Sequence, residues 1–278
     1  MTARIIAQKL TQSLGQNVLV DNRPGAGSTI GVNIAAKSAP DGYTMVLGTI
    51  GPIAIAVSLF SKLPYDPAKD LLPVVQVVDA LNVLAVHPSL PVKSVKELIA
   101  VAKRRPGELN YGDGVGSTGH LAGALFNTMT GTTFVLVPYG GSAPAVVDLL
   151  AGNIQLMFIT VSNSLGLIKN GKLRGIAMTG TKRSSLLPEL PTIAEAGVPG
   201  YAVNNWYGVF TPARTPGEIV MRLNAEIVKI LNTPDIKQRL LESGLEAVPS
   251  TSEQFAAYIQ LEIKKWAKVV KDTGVKLD

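Results

Sequence analysis

Four turns rich in glycine, serine and threonine constrain the fold of this chain more than any other feature of its sequence. They occupy residues 25–28, 48–51, 114–119 and 140–143, and each stands between a short apolar segment and a segment with helical periodicity. A repeated order of strand, tight turn and helix is typical of a parallel β-sheet covered by helices. The sequence therefore predicts an α/β fold built on parallel strands.

The length of the chain favours two lobes over a single module, because 278 residues suit two domains of about 100 to 150 residues each. We place the first lobe at residues 1–84 and 208–278 and the second at residues 85–207, joined by two crossover strands. Hydrophobic residues make up 46% of the sequence, enough for a buried core. The longest apolar run, 53–60, is much shorter than the roughly 20 residues of a bilayer-spanning helix. We expect a folded protein without such a helix.

Local signals predict where individual elements begin and end. The first helix ends at Gly15, and Val18–Leu19–Val20 is predicted as a short buried strand. Ser94, followed three residues later by Glu97, forms a capping box that predicts a helix over 95–104. Further helices are predicted at 29–37, 53–60, 118–130, 143–151, 164–170, 215–231, 235–243 and 252–271, and strands at 43–48, 74–86, 109–111, 134–137, 154–159, 173–179 and 203–210.

Charge and residue counts exclude several classes of site. The formal net charge is +6, but 103–105 is the only run of three basic residues, so the sequence does not favour a nucleic-acid partner. There is no cysteine, which excludes disulfides and thiolate metal sites. The two histidines, His87 and His120, lie far apart and neither belongs to a metal-binding motif. We predict no metal site.

A nucleotide cofactor is not predicted either. Residues 114–119 match the pattern G-x-G-x-x-G, but the next strand ends at 137–139 without the acidic residue that would bind a ribose. Gly171–Lys172 is followed by leucine, so there is no phosphate-binding P-loop. We predict no cofactor.

Catalytic machinery is not apparent in the sequence. Ser117 and His120 share one helical turn, which seldom gives the geometry of a base and its hydroxyl, and no G-x-S-x-G elbow is present. The acidic residues, among them Asp113 and Asp148, are isolated. We interpret Ser117 as a helix cap and predict that the protein is not an enzyme.

The four turns suggest a binding site for an anion. At the carboxyl ends of parallel strands, the following helices present unbonded N–H groups and a partial positive charge. For any single turn, a simpler reading is that glycine only permits the tight connection. Four such turns together favour a site for a carboxylate or a phosphate.

Four motifs carry a resemblance to a known family. At 22–27 (NRPGAG), 39–44 (APDGYT), 139–141 (YGG) and 190–192 (LPT), the sequence resembles the Bug-type (TctC-like) solute receptors of tripartite tricarboxylate transporters. The resemblance covers nearly the whole chain. It implies a periplasmic two-lobe clamshell that captures a small organic mono- or dicarboxylate and delivers it to the membrane permease subunits. We expect a monomer, and the scattered basic residues predict no nucleic-acid partner.

The resemblance implies a ligand held between the lobes by backbone groups and waters of the strand-to-helix loops. The candidate ligand-binding positions are Thr49, Ile50 and Gly51 in the first lobe and Ser117, Thr118, Gly119, His120, Tyr139, Gly141, Ser142 and Thr160 in the second. The family often has an aspartate just after the strand equivalent to 155–158, whereas this chain has Ile159–Thr160. We therefore expect a plain acid rather than a ligand with an amino group.

The start of the chain departs from the family. Such receptors normally begin with a signal peptide, a strand and a proline- and glycine-rich loop, whereas this sequence opens on the helix that follows them. We expect a truncated start and a first strand missing from the first lobe. Two other functions stay open at this stage. One is an effector-sensing domain of a transcription regulator, which would need a helix-turn-helix segment; the other is a hydrolase that uses Ser117 and His120 in the same cleft.

Overall fold

The computed structural model describes residues 1–23 and 25–273, so Pro24 of the 22–27 motif lies outside the described residues. The chain folds into two compact units. The first unit comprises residues 1–79 and 206–268, and the second comprises residues 80–205 together with the end of the last helix from Val269. The chain thus passes between units at 79/80, at 205/206 and, within a helix, at 268/269. The sequence did not predict the third passage.

Helices and strands alternate through much of the chain. In order they are α1 (Thr2–Leu14), α2 (Thr29–Ala36), β1 (Val46–Thr49), α3 (Ala56–Leu59), α4 (Pro67–Asp70), β2 (Leu71–Ala80), β3 (Asn82–Val86), α5 (Val95–Arg104), β4 (Asn110–Asp113), α6 (Thr118–Thr130), β5 (Val135–Pro138), α7 (Ser142–Ala151), β6 (Leu156–Thr160), α8 (Val161–Lys169), β7 (Arg174–Met178), β8 (Asn205–Pro212), α9 (Gly217–Leu231), α10 (Pro234–Glu242), β9 (Leu245–Ala247) and α11 (Ser252–Thr273). The α/β class is as predicted. In the described residues, no helix is both long and apolar enough to cross a membrane.

The first unit contains a sheet of strand order β1-β8-β2-β9. β1 pairs with β8 in antiparallel register, with Val46 opposite Phe210. The prediction of parallel strands was therefore wrong for this pair, because β8 is the strand by which the chain returns from the second unit and it runs against β1. Trp206 on β8 is fully buried and meets Phe255 of α11 edge to face at 5.4 Å, so it is a core residue.

A groove of about 600 Å³ lies beside β1 in the first unit, lined by residues of α1, α2, β1 and 18–23. The prediction of a buried strand at Val18–Leu19–Val20 was wrong: these residues form no strand, and Leu19 is 88% exposed. No strand pairs with 18–20 among the described residues, and the backbone N–H of Val18 donates to the Thr11 hydroxyl at 3.0 Å instead. Apolar composition alone does not make a strand without a ladder of backbone partners.

The second unit contains a sheet of strand order β5-β4-β6-β3-β7. β4 is parallel to both β5 and β6, as the strand–turn–helix pattern predicted. β3 is antiparallel to β6 and β7, because it follows β2 directly and no helix turns the chain back between them. One face of this sheet, with Val83, Ala85 and Met157, packs in a buried cluster with α7 residues such as Leu149.

The opposite face of this sheet is covered by α6. Phe126 of α6 stacks on Phe134 at 5.4 Å and lies 6.0 Å from Phe158 of β6. Neither Phe126 nor Phe158 is more than 2% exposed. Because side chains alternate along a strand, the residues that share a face with Phe158 include Thr160, the last residue of β6.

Candidate functional site

Three helices of the second unit begin at one edge of its sheet. β4, β5 and β6 are mutually parallel, and their last residues, Asp113, Pro138 and Thr160, are followed by α6, α7 and α8. The structure thus brings together all eight predicted site residues of the second lobe at or beside these three strand ends. The dipoles of these three helices place partial positive charge at this edge. We call it the carboxyl edge of the second unit.

Asp113 lies at the centre of the carboxyl edge. Its side chain is 5% exposed, and Oδ1 accepts hydrogen bonds from the Gly114 N–H at 2.7 Å and from the Ser142 hydroxyl at 3.2 Å. Burial raises the pKa of the Asp113 carboxyl, while hydrogen bonds from Gly114, Ser117 and Ser142 act in the opposite direction. The carboxylate therefore ties the first residue of α7 to the turn before α6.

Gly119 is required by this carboxylate. A Cβ placed on Gly119 would lie 1.9 Å from Asp113 Oδ2 and 2.7 Å from the backbone oxygen of Phe158. These contacts are far inside the 3.5–4.0 Å of ordinary van der Waals packing. The start of α6 is thus held against both β4 and β6, and a glycine is the residue that permits it.

Ser117 and His120 form a helix cap rather than a catalytic pair. The backbone N–H of His120 donates to Ser117 Oγ at 3.1 Å, which confirms the predicted cap. His120 Nδ1 accepts from the Gly116 N–H at 3.0 Å, and burial lowers the pKa of this imidazole. Since Nδ1 already accepts a hydrogen bond, the neutral ring carries its proton on Nε2 and has no nitrogen free to act as a base toward Ser117.

Tyr139 contributes its backbone to the carboxyl edge and its side chain to the support of α7. Its N–H donates to the Asp113 carbonyl at 3.0 Å, and its hydroxyl donates to Asp148 Oδ2 at 2.6 Å. This bond lowers the pKa of Asp148, while burial and the carboxylate raise the pKa of Tyr139 to about 12. The phenol is therefore neutral and fixed.

The starts of α7 and α8 carry no side-chain caps. α7 begins after Gly141, at which φ is 151°, and a Cβ on Gly140 or Gly141 would meet no atom within 4 Å. α8 begins after Thr160, whose hydroxyl accepts from Ser162 at 3.2 Å. The N–H groups at a helix start have no intrahelical partner, so these two starts are suited to an external acceptor.

The predicted residues of the first lobe lie in the first unit at the end of β1. Thr49 is the last residue of β1, and Gly51 opens the short helical turn that leads into α3. Ile50 is 1% exposed, so it belongs to the core of the first unit.

Sequence reasoning missed two residues of the carboxyl edge. Asp113 stands isolated from other acids in the sequence, and its partner Ser142 is 29 positions away. Asn82 on β3 was not singled out, although it pairs with Thr160 and is 4% exposed. Two sequence signals could have identified these residues. Asp113 is a charged residue directly before a glycine-rich turn, and Asn82 is a polar residue at the start of an apolar strand. Within the described residues, no group of three acidic or histidine side chains is suited to hold a metal ion.

Comparisons with known proteins give the family. The family model of the tripartite tricarboxylate transporter family receptor matches residues 2–275. Protein BugT of Bordetella pertussis is 40% identical over 99% of this chain and 85% of its own length. The structure of R. palustris Rpa4515 with adipate has a TM-score of 0.86 and 41% identity, covering 99% of this chain and 92% of that one. MatC from Rhodopseudomonas palustris with bound malate has a TM-score of 0.81 and 31% identity, covering 97% and 93%. A family model that spans nearly every residue, together with these relatives, means that the chain belongs to the tripartite tricarboxylate transporter receptors.

Proposed function

We propose that this protein is a periplasmic solute-binding receptor that captures a small organic mono- or dicarboxylate and delivers it to the permease subunits of a tripartite tricarboxylate transporter. Family membership supports the role in transport. The structures of two relatives were solved with adipate and with malate, which are both small dicarboxylates. The proposal for this chain rests further on the chemistry of its carboxyl edge.

The observation that carries the proposal is the convergence of three helix starts, two of them uncapped, on one edge of the sheet. Backbone N–H groups at such starts bind carboxylates without a positively charged side chain. The open space at Gly140 and Gly141 lets a ligand approach the backbone closely. A carboxylate bound there would receive hydrogen bonds from N–H groups whose direction is fixed by the helix.

The expected free energy of carboxylate binding suits a transport receptor. A hydrogen bond to a charged group contributes about 1.5 to 3 kcal/mol, and micromolar affinity requires about 8 kcal/mol in total. Four or five such bonds, with burial of the carbon skeleton, reach this total after the cost of ordering is subtracted. The ligand can then dissociate fast enough to be handed on.

The described charges of the carboxyl edge favour a ligand without an amino group. Thr160 is uncharged, Asp113 is occupied by its hydrogen bonds, and Asp148 is bound to Tyr139 and Asn153. None of these offers a free carboxylate to an ammonium group.

Isothermal titration with adipate, malate and other small acids tests the proposal, with the diamide of adipate as an uncharged control. A matched pair of variants locates the site. Ser142→Pro removes the first N–H of α7 at a position where proline is tolerated, whereas Ser142→Ala keeps that N–H. We expect Ser142→Pro to weaken binding roughly 10- to 100-fold relative to Ser142→Ala. Absence of heat and of a thermal shift with every acid would refute the proposal.

The contribution of Thr49, Ile50 and Gly51 stays a prediction from the family resemblance. Thr49→Val removes one hydroxyl with little change of volume. We expect Thr49→Val to weaken binding of the acid that the wild type binds in the same titrations, and an unchanged affinity would contradict a role for Thr49.

A further inference from the structure

The amide oxygen of Asn82 is buried without a hydrogen-bond partner among the described residues. The residue is 4% exposed, and the unpaired atom is Oδ1. The backbone carbonyl of Asn82 accepts from the Thr179 N–H at 3.0 Å. Buried polar groups in proteins are nearly always paired, so Asn82 Oδ1 calls for a partner that the described residues do not supply.

Asn82 stands at the carboxyl edge of the second unit. It is directly opposite Thr160 in the antiparallel pair of β3 and β6, so the two side chains share one face of the sheet at a Cβ separation of about 5 Å. That face also carries Phe158, whose backbone oxygen contacts Gly119 at the start of α6. The orphaned amide therefore lies on the face of the sheet that α6 covers, at the edge where α6 begins.

The chemistry of the amide oxygen selects its partner. Oδ1 only accepts hydrogen bonds, and an ionised carboxylate has no hydrogen to donate. A hydroxyl group can donate, and it would satisfy Oδ1 while the neighbouring helix starts hold the carboxylate of the same molecule. We propose that Asn82 is a specificity residue that accepts a hydrogen bond from a ligand hydroxyl, so that the receptor prefers a hydroxy acid over the acid that lacks the hydroxyl. This inference rests on the proposed carboxylate function.

Binding of malate and succinate tests this inference, because the two dianions differ only by one hydroxyl. We expect the wild type to bind one enantiomer of malate roughly 10- to 100-fold more tightly than succinate at pH 7.5, because succinate leaves Oδ1 unpaired. Asn82→Leu and Asn82→Ala remove the orphaned oxygen and should bring the ratio close to one. Asn33→Leu removes another unpartnered buried amide oxygen, from α2 of the first unit, and should leave the ratio unchanged.

The outcomes separate this inference from the proposed function. A wild type that binds both acids equally, or an Asn82→Ala variant that keeps the full preference for malate, overturns the role of Asn82 while carboxylate binding stands. A wild type that binds no acid of the panel overturns the proposed function, and the inference with it. Circular dichroism and urea midpoints of each variant establish that the compared proteins are folded.

Discussion

Replacement of Gly119 by alanine tests whether the start of α6 is held as tightly as the structure shows. The new Cβ would lie 1.9 Å from Asp113 Oδ2, 3.0 Å from Asp113 Cγ and 2.7 Å from the Phe158 carbonyl oxygen. Neither neighbour can move aside cheaply, because one is a hydrogen-bonded buried carboxylate and the other belongs to the backbone of a central strand. The substitution must therefore displace the helix start or break the bonds of Asp113.

The expected loss follows from three contributions. Overpacking of a buried site costs about 1 to 3 kcal/mol. Displacement of the carboxylate from its charge-assisted hydrogen bonds costs about 1.5 to 3 kcal/mol more. Alanine regains about 1 kcal/mol over glycine through helix propensity. We expect Gly119→Ala to lower the free energy of unfolding by about 1.5 to 5 kcal/mol.

Urea unfolding followed by circular dichroism measures this loss, with Gly166→Ala as the matched control. Gly166 lies inside α8, and a Cβ there would meet no atom within 4 Å, so this variant should gain about 0.5 to 1 kcal/mol. In an Asp113→Ala background the shortest contact is removed, and Gly119→Ala should cost at least about 1 kcal/mol less than in the wild type. If Gly119→Ala is as stable as Gly166→Ala, the described packing of α6 is incorrect.

Three further predictions concern hydrogen bonds and protonation. Burial raises the native pKa of Asp113, so the contribution of this group to stability is present below about pH 3.9 and is lost as pH rises through the native pKa. In Asp113→Asn, the urea midpoint should no longer show this change with pH. Burial lowers the native pKa of His120, so the wild type should lose stability as pH falls below about 6.5, and His120→Gln should lack this loss when assayed the same way. Ser94 Oγ accepts from the Glu97 N–H, so Ser94→Ala should cost about 1 kcal/mol in urea unfolding, and an unchanged midpoint would count against the cap.

Elements with local signals were predicted closely from the sequence. The helix predicted at 118–130 coincides with α6, because Ser117 caps its start and Gly131 ends it in the left-handed conformation at φ 64°. α5 likewise coincides with the predicted 95–104, where Glu97 Oε2 accepts from the Lys93 N–H instead of completing the box on Ser94. Caps and stops act over a few residues, so the sequence displays them directly.

Features that depend on distant partners were not predictable in this way. Val18–Leu19–Val20 has the composition of a strand, but whether it pairs depends on another chain segment beside it. The direction of β8 relative to β1 depends on the path of the chain through the second unit. At the carboxyl edge, Asp113 acquires its role from Ser142, and Asn82 acquires its position from pairing with Thr160. Asp113 and Ser142 are 29 positions apart, and Asn82 and Thr160 are 78 apart (160 − 82).

The groove beside β1 has a consequence for handling the protein in solution. Among the described residues β1 has a strand neighbour on one side only, so its other side presents free backbone donors and acceptors next to apolar walls. Such an edge is a template for any extended segment with apolar residues at alternate positions. We expect the solution to become turbid on refolding at high concentration, through intermolecular β-pairing that begins at Val46–Thr49, and dilution to suppress it.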